Sequence, residues 1–315
     1  MTKAIRLGLI GCGKWGANYL KTIEKIDGVE IGLIACKSID KKRNLKNDYY
    51  LTDNWHDVVN SSNIDGIIIA TPPNMHYKIA SEAIKNGKPT IVEKPLTLNA
   101  KEANNLFSLS LVNRVNVRVN HVYLYHPMYR FLKKYIGNFD NLKSIYTLSG
   151  NYGPFRDNIS SLWDWAPHDI AMCLDILGEM PIKINAKFSK QAFDEDKKYD
   201  MSNISMHLRF NNDVDAYINT GNIMECKKRY FKLNFEKNAY IFDPISSFYI
   251  QEEVNSKIKE IKLLDGFDFK ESPLEILLKV FLKEITSRKF QVEDLKLSKN
   301  VIKIIESIDD KLRIN

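Results

Sequence analysis

Gly11-Cys12-Gly13-Lys14-Trp15-Gly16 stands between a near-continuous apolar run, Ala4 to Ile10, and a segment of helical character, Trp15 to Lys25. A G-x-G-x-x-G string says little alone. Between a strand and a helix each glycine has a physical role. Gly11 permits a tight turn, Gly13 lets backbone approach a pyrophosphate, and Gly16 lets helix and strand pack closely. The helix N-terminus offers N–H groups and partial positive charge to phosphates. Lys14 and Trp15 belong to the same loop and are candidate cofactor contacts. The alternative is a glycine-rich turn without a ligand.

Further strand-like and helical runs follow in alternation. Val29 to Ala35, Gly66 to Ala70, Thr90 to Glu93 and Val115 to Val119 are apolar and β-rich, with helical patterns such as His76 to Asn86 and Asn99 to Leu111 between them. This alternation predicts a parallel sheet covered on both faces, a Rossmann-type domain over residues 1–120. After residue 120 the texture changes. A helix is expected at about Pro167 to Leu177, followed by β-type runs joined by short polar turns and two closing helices, Pro273 to Ser287 and Ser298 to Leu312. Residues 121–315 are thus expected to form an α+β domain with a large, mostly antiparallel open sheet for substrate binding and oligomerisation.

Composition removes several classes. Hydrophobic residues make up 44% of the 315, and charged residues 27%, as in an ordinary globular chain rather than a disordered one. No stretch approaches the roughly 20 apolar residues that cross a bilayer, and the first apolar run is too short for a signal peptide. A cytoplasmic protein without a membrane partner is expected. The net charge of +7 is not gathered into a basic run with interleaved aromatics, so no nucleic-acid partner is expected. Cys12, Cys36, Cys173 and Cys226 are scattered, which suits small buried thiols in a reducing compartment and no metal site.

The end of the second strand bears on the cofactor. A carboxylate there binds the ribose 2′-OH of NAD. This chain has Cys36-Lys37-Ser38 instead, and Lys41 shortly after. Lys37 and the Ser38 hydroxyl suit a 2′-phosphate, which favours NADP(H) over NAD(H). The alternative is that Lys37 is a solvated loop residue.

Two segments carry candidate chemistry at the strands' C-terminal edge. Thr71-Pro72-Pro73-Asn74-Met75-His76 follows one strand, its prolines holding the chain extended before the next helix. Glu93-Lys94-Pro95 follows the next strand. There Lys94 can lie beside a nicotinamide, whose cationic ring and partial burial lower an amine's pKa and fit it for proton exchange with an alcohol. Further on, Asp164 stands four residues before His168, with Pro167 suited to a first helical turn. A carboxylate on one ring nitrogen fixes the tautomer and frees the other for proton transfer. A lone His is usually structural and a Lys-Pro usually a turn, so it is the combination that carries weight.

On these residues the chain resembles the glucose–fructose oxidoreductase / inositol dehydrogenase family, Gfo/Idh/MocA. The resemblance covers essentially the whole chain, and the E-K-P and D-x-x-x-H elements are its specific parts. It implies that Lys94, Asp164 and His168 form the catalytic group, that Thr71, Pro72, His76 and Glu93 belong to the cofactor site, and that Lys94-Pro95 is cis. It also implies a homodimer or homotetramer built on the exposed sheet face. Two positions depart from the pattern. Ala171 stands where many relatives have an acidic residue, and Asn120-His121 stands where many have Gly-His. His121 either lines the site or is structural. Tyr152 and Arg156 lie just upstream of the catalytic segment. They suit a sugar hydroxyl or a phosphate, or belong to a surface loop packed by its own aromatics.

The resemblance implies an NAD(P)-dependent oxidoreductase that moves a hydride between the nicotinamide and a hydroxyl or keto carbon of a sugar or nucleotide-linked sugar. The Trp163 to Asp169 string looks like members that build surface polysaccharides. Two alternatives remain: an NAD-dependent glycosidase of the same fold, and a non-catalytic dinucleotide-sensing regulator. The presence of both Lys94 and His168 counts against the regulator.

Overall fold

The first strands are apolar almost without interruption, and the computed structural model buries them on both faces. It describes residues 4–37, 49–192, 200–246, 250–261 and 270–314. Through residue 122 these form β1 (Ile5–Ile10), α1 (Lys14–Ile23), β2 (Val29–Ala35), β3 (Leu51–Thr52), α2 (Trp55–Asn60), β4 (Gly66–Ile69), α3 (His76–Lys85), β5 (Thr90–Val92), α4 (Ala100–Asn113) and β6 (Val117–Val119). The sheet order is β3-β2-β1-β4-β5-β6 and every pairing is parallel. Leu7, Leu9, Ile67, Ile68, Ile69, Ile91 and Val92 have no exposed surface, as central parallel strands require. The strands match the apolar runs to within two residues. The pattern missed β3, only two residues long, and α2, one and a half turns capped by the Asn54 side chain.

The rest of the chain holds α5 (Pro127–Ile136), β7 (Leu142–Tyr152), α6 (Ser161–Leu177), β8 (Lys183–Ala192), β9 (Met201–Arg209), β10 (Asp215–Gly221), β11 (Ile223–Phe235), β12 (Asn238–Phe242), β13 (Ile250–Val254), β14 (Lys257–Glu260), α7 (Pro273–Ser287) and α8 (Glu293–Ile314). Strands β7 to β14 make one eight-stranded sheet in the order β14-β13-β12-β11-β7-β10-β9-β8. All its pairings are antiparallel except β7 with β10. One face is apolar, with Ile145, Ile218, Phe231 and Leu233 at 1% exposure or less, and α6 packs on the β7–β10 part of it. The other face carries half-buried residues such as Tyr146, Tyr230 and Lys232. β8 escaped the sequence reading because it is a half-exposed edge strand rich in lysine and needs no apolar run.

Two compact units result. One comprises residues 1–122 with 272–302, the other 123–271 with 303–315. The reading from sequence placed everything after residue 120 in one domain. In the structure α7 and the first half of α8 count with the parallel sheet instead. Their anchor is Arg118 on β6. Its Nε donates to Glu284 Oε2 at 2.7 Å, its Nη2 donates to Glu284 Oε1 at 2.5 Å, and its Nη1 donates to Asp294 Oδ1 at 3.2 Å. Asp294 also accepts the Val119 N–H at 2.9 Å. All three charged side chains are at most 18% exposed. Nothing in sequence spacing links positions 118, 284 and 294.

Removing one member of a buried charge cluster strands the others. Arg118→Ala is therefore expected to destabilise the first unit by about 3–5 kcal/mol, measured as a loss in urea midpoint at pH 7. An unchanged midpoint would show that the cluster does not hold the C-terminal segment.

Candidate functional site

The glycine loop grows out of the central strand of the parallel sheet. Gly11 turns with φ +102°, and its N–H donates to the Ala35 carbonyl at 2.9 Å. A Cβ on Gly11 would lie 2.5 Å from the Ala70 carbonyl oxygen, so the loop is backed by the end of β4. A Cβ on Gly16 would strike the Gly11 carbonyl, the close packing of helix on loop expected of that position. Gly13 differs. It is the N-cap of α1, and a Cβ there meets no protein atom within 4 Å. No side chain caps α1 and no acidic residue occupies its first turn, which leaves the amide N–H groups of the helix start for an anion. Lys14 is exposed and Trp15 half-buried at the same turn.

The cysteines depart from the expectation of four separate thiols. Cys12 and Cys36 are joined as a disulfide, with Cα atoms 5.6 Å apart. Cys173 is a buried thiol and Cys226 an exposed one. The pairing follows from the sheet: β1 and β2 are parallel with Ile10 opposite Ala35, so the residues just beyond both strand ends meet. Lys37 follows as an exposed residue. Ser38 and Lys41 lie outside the described residues.

The other loops at this edge leave β4 and β5. Thr71 and Pro72 lead into a 3-10 turn, Pro73–Met75. His76 follows with no exposed surface. Its Nδ1 lies 2.8 Å from the Pro95 carbonyl and its Nε2 3.0 Å from the Thr71 carbonyl. Burial, chiefly, holds its pKa below the ordinary imidazole value. His76 was expected in the cofactor site. Its ring nitrogens face backbone carbonyls, and it ties together the two loops that form this edge.

Glu93 is likewise buried, at 5% exposure. Its Oε1 accepts from Tyr19 Oη at 3.0 Å and from Asn120 Nδ2 at 2.7 Å. Burial raises its pKa and these two bonds oppose the rise. Glu93 therefore acts as a bracket between α1 and the end of β6. Lys94 is the one residue from Ile91 to Thr97 that is not buried, and Lys94-Pro95 is cis, as the resemblance implied. The lysine's charge acts on Glu93, His76 and His121. His121 is buried, and burial followed by the Lys94 charge lowers its pKa to about 3, so it is neutral at pH 7. Tyr19 and Asn120 were not anticipated as partners of Glu93; no spacing rule connects positions 19, 93 and 120.

A dinucleotide fits this edge. There is open space beside Gly13, the N-terminus of α1 is uncapped by any side chain, and Thr71 Oγ1 and Asn120 Oδ1 are buried without a hydrogen-bond partner among the described residues. Thr71 Oγ1, Gly13 and the first turn of α1 would hold it, with Lys37 at the end of β2.

In the second unit the proton-transfer candidates share one helix. α6 begins at Ser161, six residues before Pro167, not at Pro167 as the sequence suggested. Ser160 caps it, Ser161 N–H donates to Asp200 Oδ2 at 2.8 Å, and Trp163 Nε1 donates to Asp309 Oδ2 at 3.2 Å. These anchors hold the first turns although Pro167 removes one helical amide. Asp164 and His168 are thus one turn apart on the same helix face. Arg156 donates from Nε to Asp164 Oδ2 at 2.9 Å. Arg156, expected from sequence as a phosphate or sugar contact, thus forms an ion pair with the carboxylate one turn before His168. Tyr152 is 63% exposed and meets Phe155 edge to face, the arrangement of a loop packed by its own aromatics.

His168 is buried, and the Tyr123 ring stands edge-on to it with centroids 5.2 Å apart. Arg229 lies over Tyr123 at 4.1 Å and donates to Asp169 Oδ1 at 3.1 Å. Asp169 is buried and also bonded to Ser149 Oγ; burial raises its pKa and Arg229 opposes this. Tyr123 and Arg229 were missed because neither sits in a motif. Adjacency to His168 was the one available signal for Asp169.

Gly13→Val is expected to leave the thermal midpoint within a few degrees and to weaken NADPH binding at least tenfold, measured by nucleotide fluorescence; Gly11→Val is expected to lower the midpoint, since its φ is strained for any side chain. His121 contributes a pH dependence. The unfolded imidazole takes a proton near pH 6.5, the folded one only near pH 3. Its contribution to stability is fully present above pH 6.5 and falls as pH drops towards 3, by up to about 1.4 kcal/mol per pH unit. Urea midpoints at pH 7 and pH 5 are expected to differ less in His121→Asn than in the wild type.

The Gfo/Idh/MocA model, described as an oxidoreductase family with an NAD-binding Rossmann fold, matches residues 5–121. The chain is 30% identical over 42% of its length to the inositol 2-dehydrogenase/D-chiro-inositol 3-dehydrogenase of Lactiplantibacillus plantarum, covering 39% of that protein. Its aligned parts span less than two thirds of the length of the curated relatives it matches, 62%, 39% and 32% for three of them. Among solved structures, a putative oxidoreductase from Magnetospirillum magnetotacticum superposes with a TM-score of 0.86 at 27% identity, over 97% of this chain and 99% of that one. The UDP-N-acetylglucosamine 3-dehydrogenase of Acidithiobacillus ferrooxidans matches in fold, with a TM-score of 0.82 at 17% identity over 99% of this chain and 98% of its own. From β1 to the end of β6 the chain thus carries the NAD-binding Rossmann domain of the Gfo/Idh/MocA oxidoreductase family, and it shares the two-sheet fold along nearly its whole length with a putative oxidoreductase.

Proposed function

We propose that the protein interconverts a hydroxyl and a keto carbon of a sugar or nucleotide-linked sugar, with NADP(H) preferred over NAD(H). The observation that carries the reading is Lys94, unburied at the end of a buried strand, with its charge acting on Glu93, His76 and His121. The nicotinamide, when bound, accepts or donates the hydride. The chain's own residues handle the proton. His168 takes the hydroxyl proton as hydride leaves the same carbon, and in reduction it returns that proton to the oxygen. Asp164, one turn before it, orients the imidazole. Lys94 steadies the charge that develops on the oxygen, where a fixed cation in a partly desolvated place is most effective.

The choice of sugar draws on the relatives: one is an inositol dehydrogenase, and a protein of matching fold is a UDP-N-acetylglucosamine dehydrogenase. Both of those substrates carry ring alcohols. The preference for NADP(H) draws on Lys37 at the end of β2, where NAD-selective domains place a carboxylate. The open face of the eight-stranded sheet, with Tyr146, Leu148, Tyr217 and Tyr230 lining a groove on it, suits a homodimer or homotetramer.

Lys94→Ala and His168→Ala are each expected to lower turnover about 10²–10⁴-fold while leaving NADPH affinity within a few fold. The assay follows nicotinamide absorbance with free sugars, inositols and nucleotide sugars in parallel. Full activity in Lys94→Ala overturns the mechanism, and tighter binding of NADH than of NADPH overturns the cofactor preference.

A further inference from the structure

We propose that Cys12 and Cys36 are a reversible dithiol–disulfide site set into the dinucleotide cradle, and that the oxidation state of this pair sets dinucleotide affinity. The proposal rests on the dinucleotide reading of the glycine loop. Cys12 stands between Gly11 and Gly13, the two glycines that shape the cradle. Cys36 stands where an NAD-selective chain would carry its ribose-binding carboxylate, directly before Lys37.

The backbone puts the pair together. Gly11 N–H already donates to the Ala35 carbonyl at 2.9 Å, and the Cα atoms of the two cysteines are 5.6 Å apart, inside the span that a disulfide bridges without backbone movement. Gly11 is backed by Ala70, so the loop has no room to withdraw towards β4. Cys36 is 2% exposed and Cys12 half-buried, so a small reagent enters at Cys12.

The bond locks two parts of the cradle to each other: the turn that presents amides to the pyrophosphate, and the segment that meets the adenosine ribose. When it opens, the Gly11–Ala35 hydrogen bond is left between them, and the loop regains conformational freedom that a ligand must then remove. Preorganisation of this kind favours binding by the oxidised form.

The chemistry is thiol–disulfide exchange with a small-molecule disulfide such as oxidised glutathione. The Cys12 thiolate attacks one sulfur of the reagent, the reagent's S–S bond breaks, and one small thiol leaves. The Cys36 thiolate then attacks Cys12 Sγ and displaces the second small thiol. Two electrons pass from the protein pair to the reagent, and the two protein protons end on the two small thiols. A small dithiol such as dithiothreitol runs the sequence backwards. The other two cysteines serve as internal references: Cys173 is buried, its pKa pushed well above the ordinary thiol value by burial, while Cys226 is exposed.

The test uses the full chain, equilibrated with oxidised glutathione or with dithiothreitol, freed of reagent, and divided. One portion is alkylated under denaturing conditions and mapped by mass spectrometry. The other is titrated with NADPH and NADH by nucleotide fluorescence. The expected result is alkylation at Cys12 and Cys36 in the reduced sample alone, and affinity at least about fivefold tighter in the oxidised sample. Cys36→Ser is expected to bind like the reduced wild type and to ignore the treatment. Equal affinities in two samples that alkylation proves different overturn the proposal while leaving the dinucleotide reading intact. So does a pair that stays bonded, or stays open, under both treatments. Loss of binding in both samples overturns the dinucleotide reading itself, and the proposal with it.

Discussion

The parallel pairing of β1 with β2 on one side and β4 on the other is the constraint from which the cofactor edge follows. Parallel strands bring their C-terminal ends to one side of a sheet, so segments distant in sequence become neighbours there. Ile10 is opposite both Ala35 and Ile69. The residues that follow those three, the glycine loop, Cys36-Lys37 and Thr71-Pro72, must therefore share one edge. β5, opposite β4, adds Lys94 to the same edge. A one-residue slip of β2 against β1 would separate Cys12 from Cys36, and the buried apolar strands on both faces resist such a slip.

Behind that edge lies a layer of buried polar brackets. His76 spans the loops after β4 and β5, and Glu93 joins Tyr19 on α1 to Asn120 after β6. A buried polar group is costly unless it is satisfied, and once satisfied it holds its partners in a single arrangement. This accounts for motif residues that touch scaffold rather than solvent. Thr71-Pro72…His76 and Glu93-Lys94-Pro95 mark a place where one half-buried lysine needs a rigid seat.

The amino-acid pattern made the first unit legible because continuous apolar strands and a glycine loop are local signals. Strand ends and the placing of Asp164 and His168 on one helix face depend on neighbours within a few residues, while the cis Lys94-Pro95 bond was expected from the family resemblance alone. What stayed hidden depends on contacts across long separations. Arg118 with Glu284 and Asp294, Glu93 with Tyr19 and Asn120, and Arg229 with Asp169 are side-chain meetings that no spacing encodes. The start of α6 was misjudged for a related reason. Pro167 looks like a first-turn residue locally, yet Asp200 and Asp309 hold the two turns before it. The ion pair of Arg156 with Asp164 was hidden as well, because a guanidinium in a loop has no visible partner until the fold supplies one.

The two outer strands of the eight-stranded sheet have a consequence for how copies of this chain can meet. β8 at one end presents Lys183, Lys187 and Lys190, and β14 at the other is exposed at all four positions, with Lys257, Lys259 and Glu260 among them. Lysines crowded along a border repel the same border on a neighbouring molecule, so the sheet is guarded against growing sideways into a ribbon of stacked chains. An oligomer of the kind proposed would then rest on the broad tyrosine-bearing surface of the sheet, where contact would bury flat area and leave the backbone ladder of each molecule closed on itself.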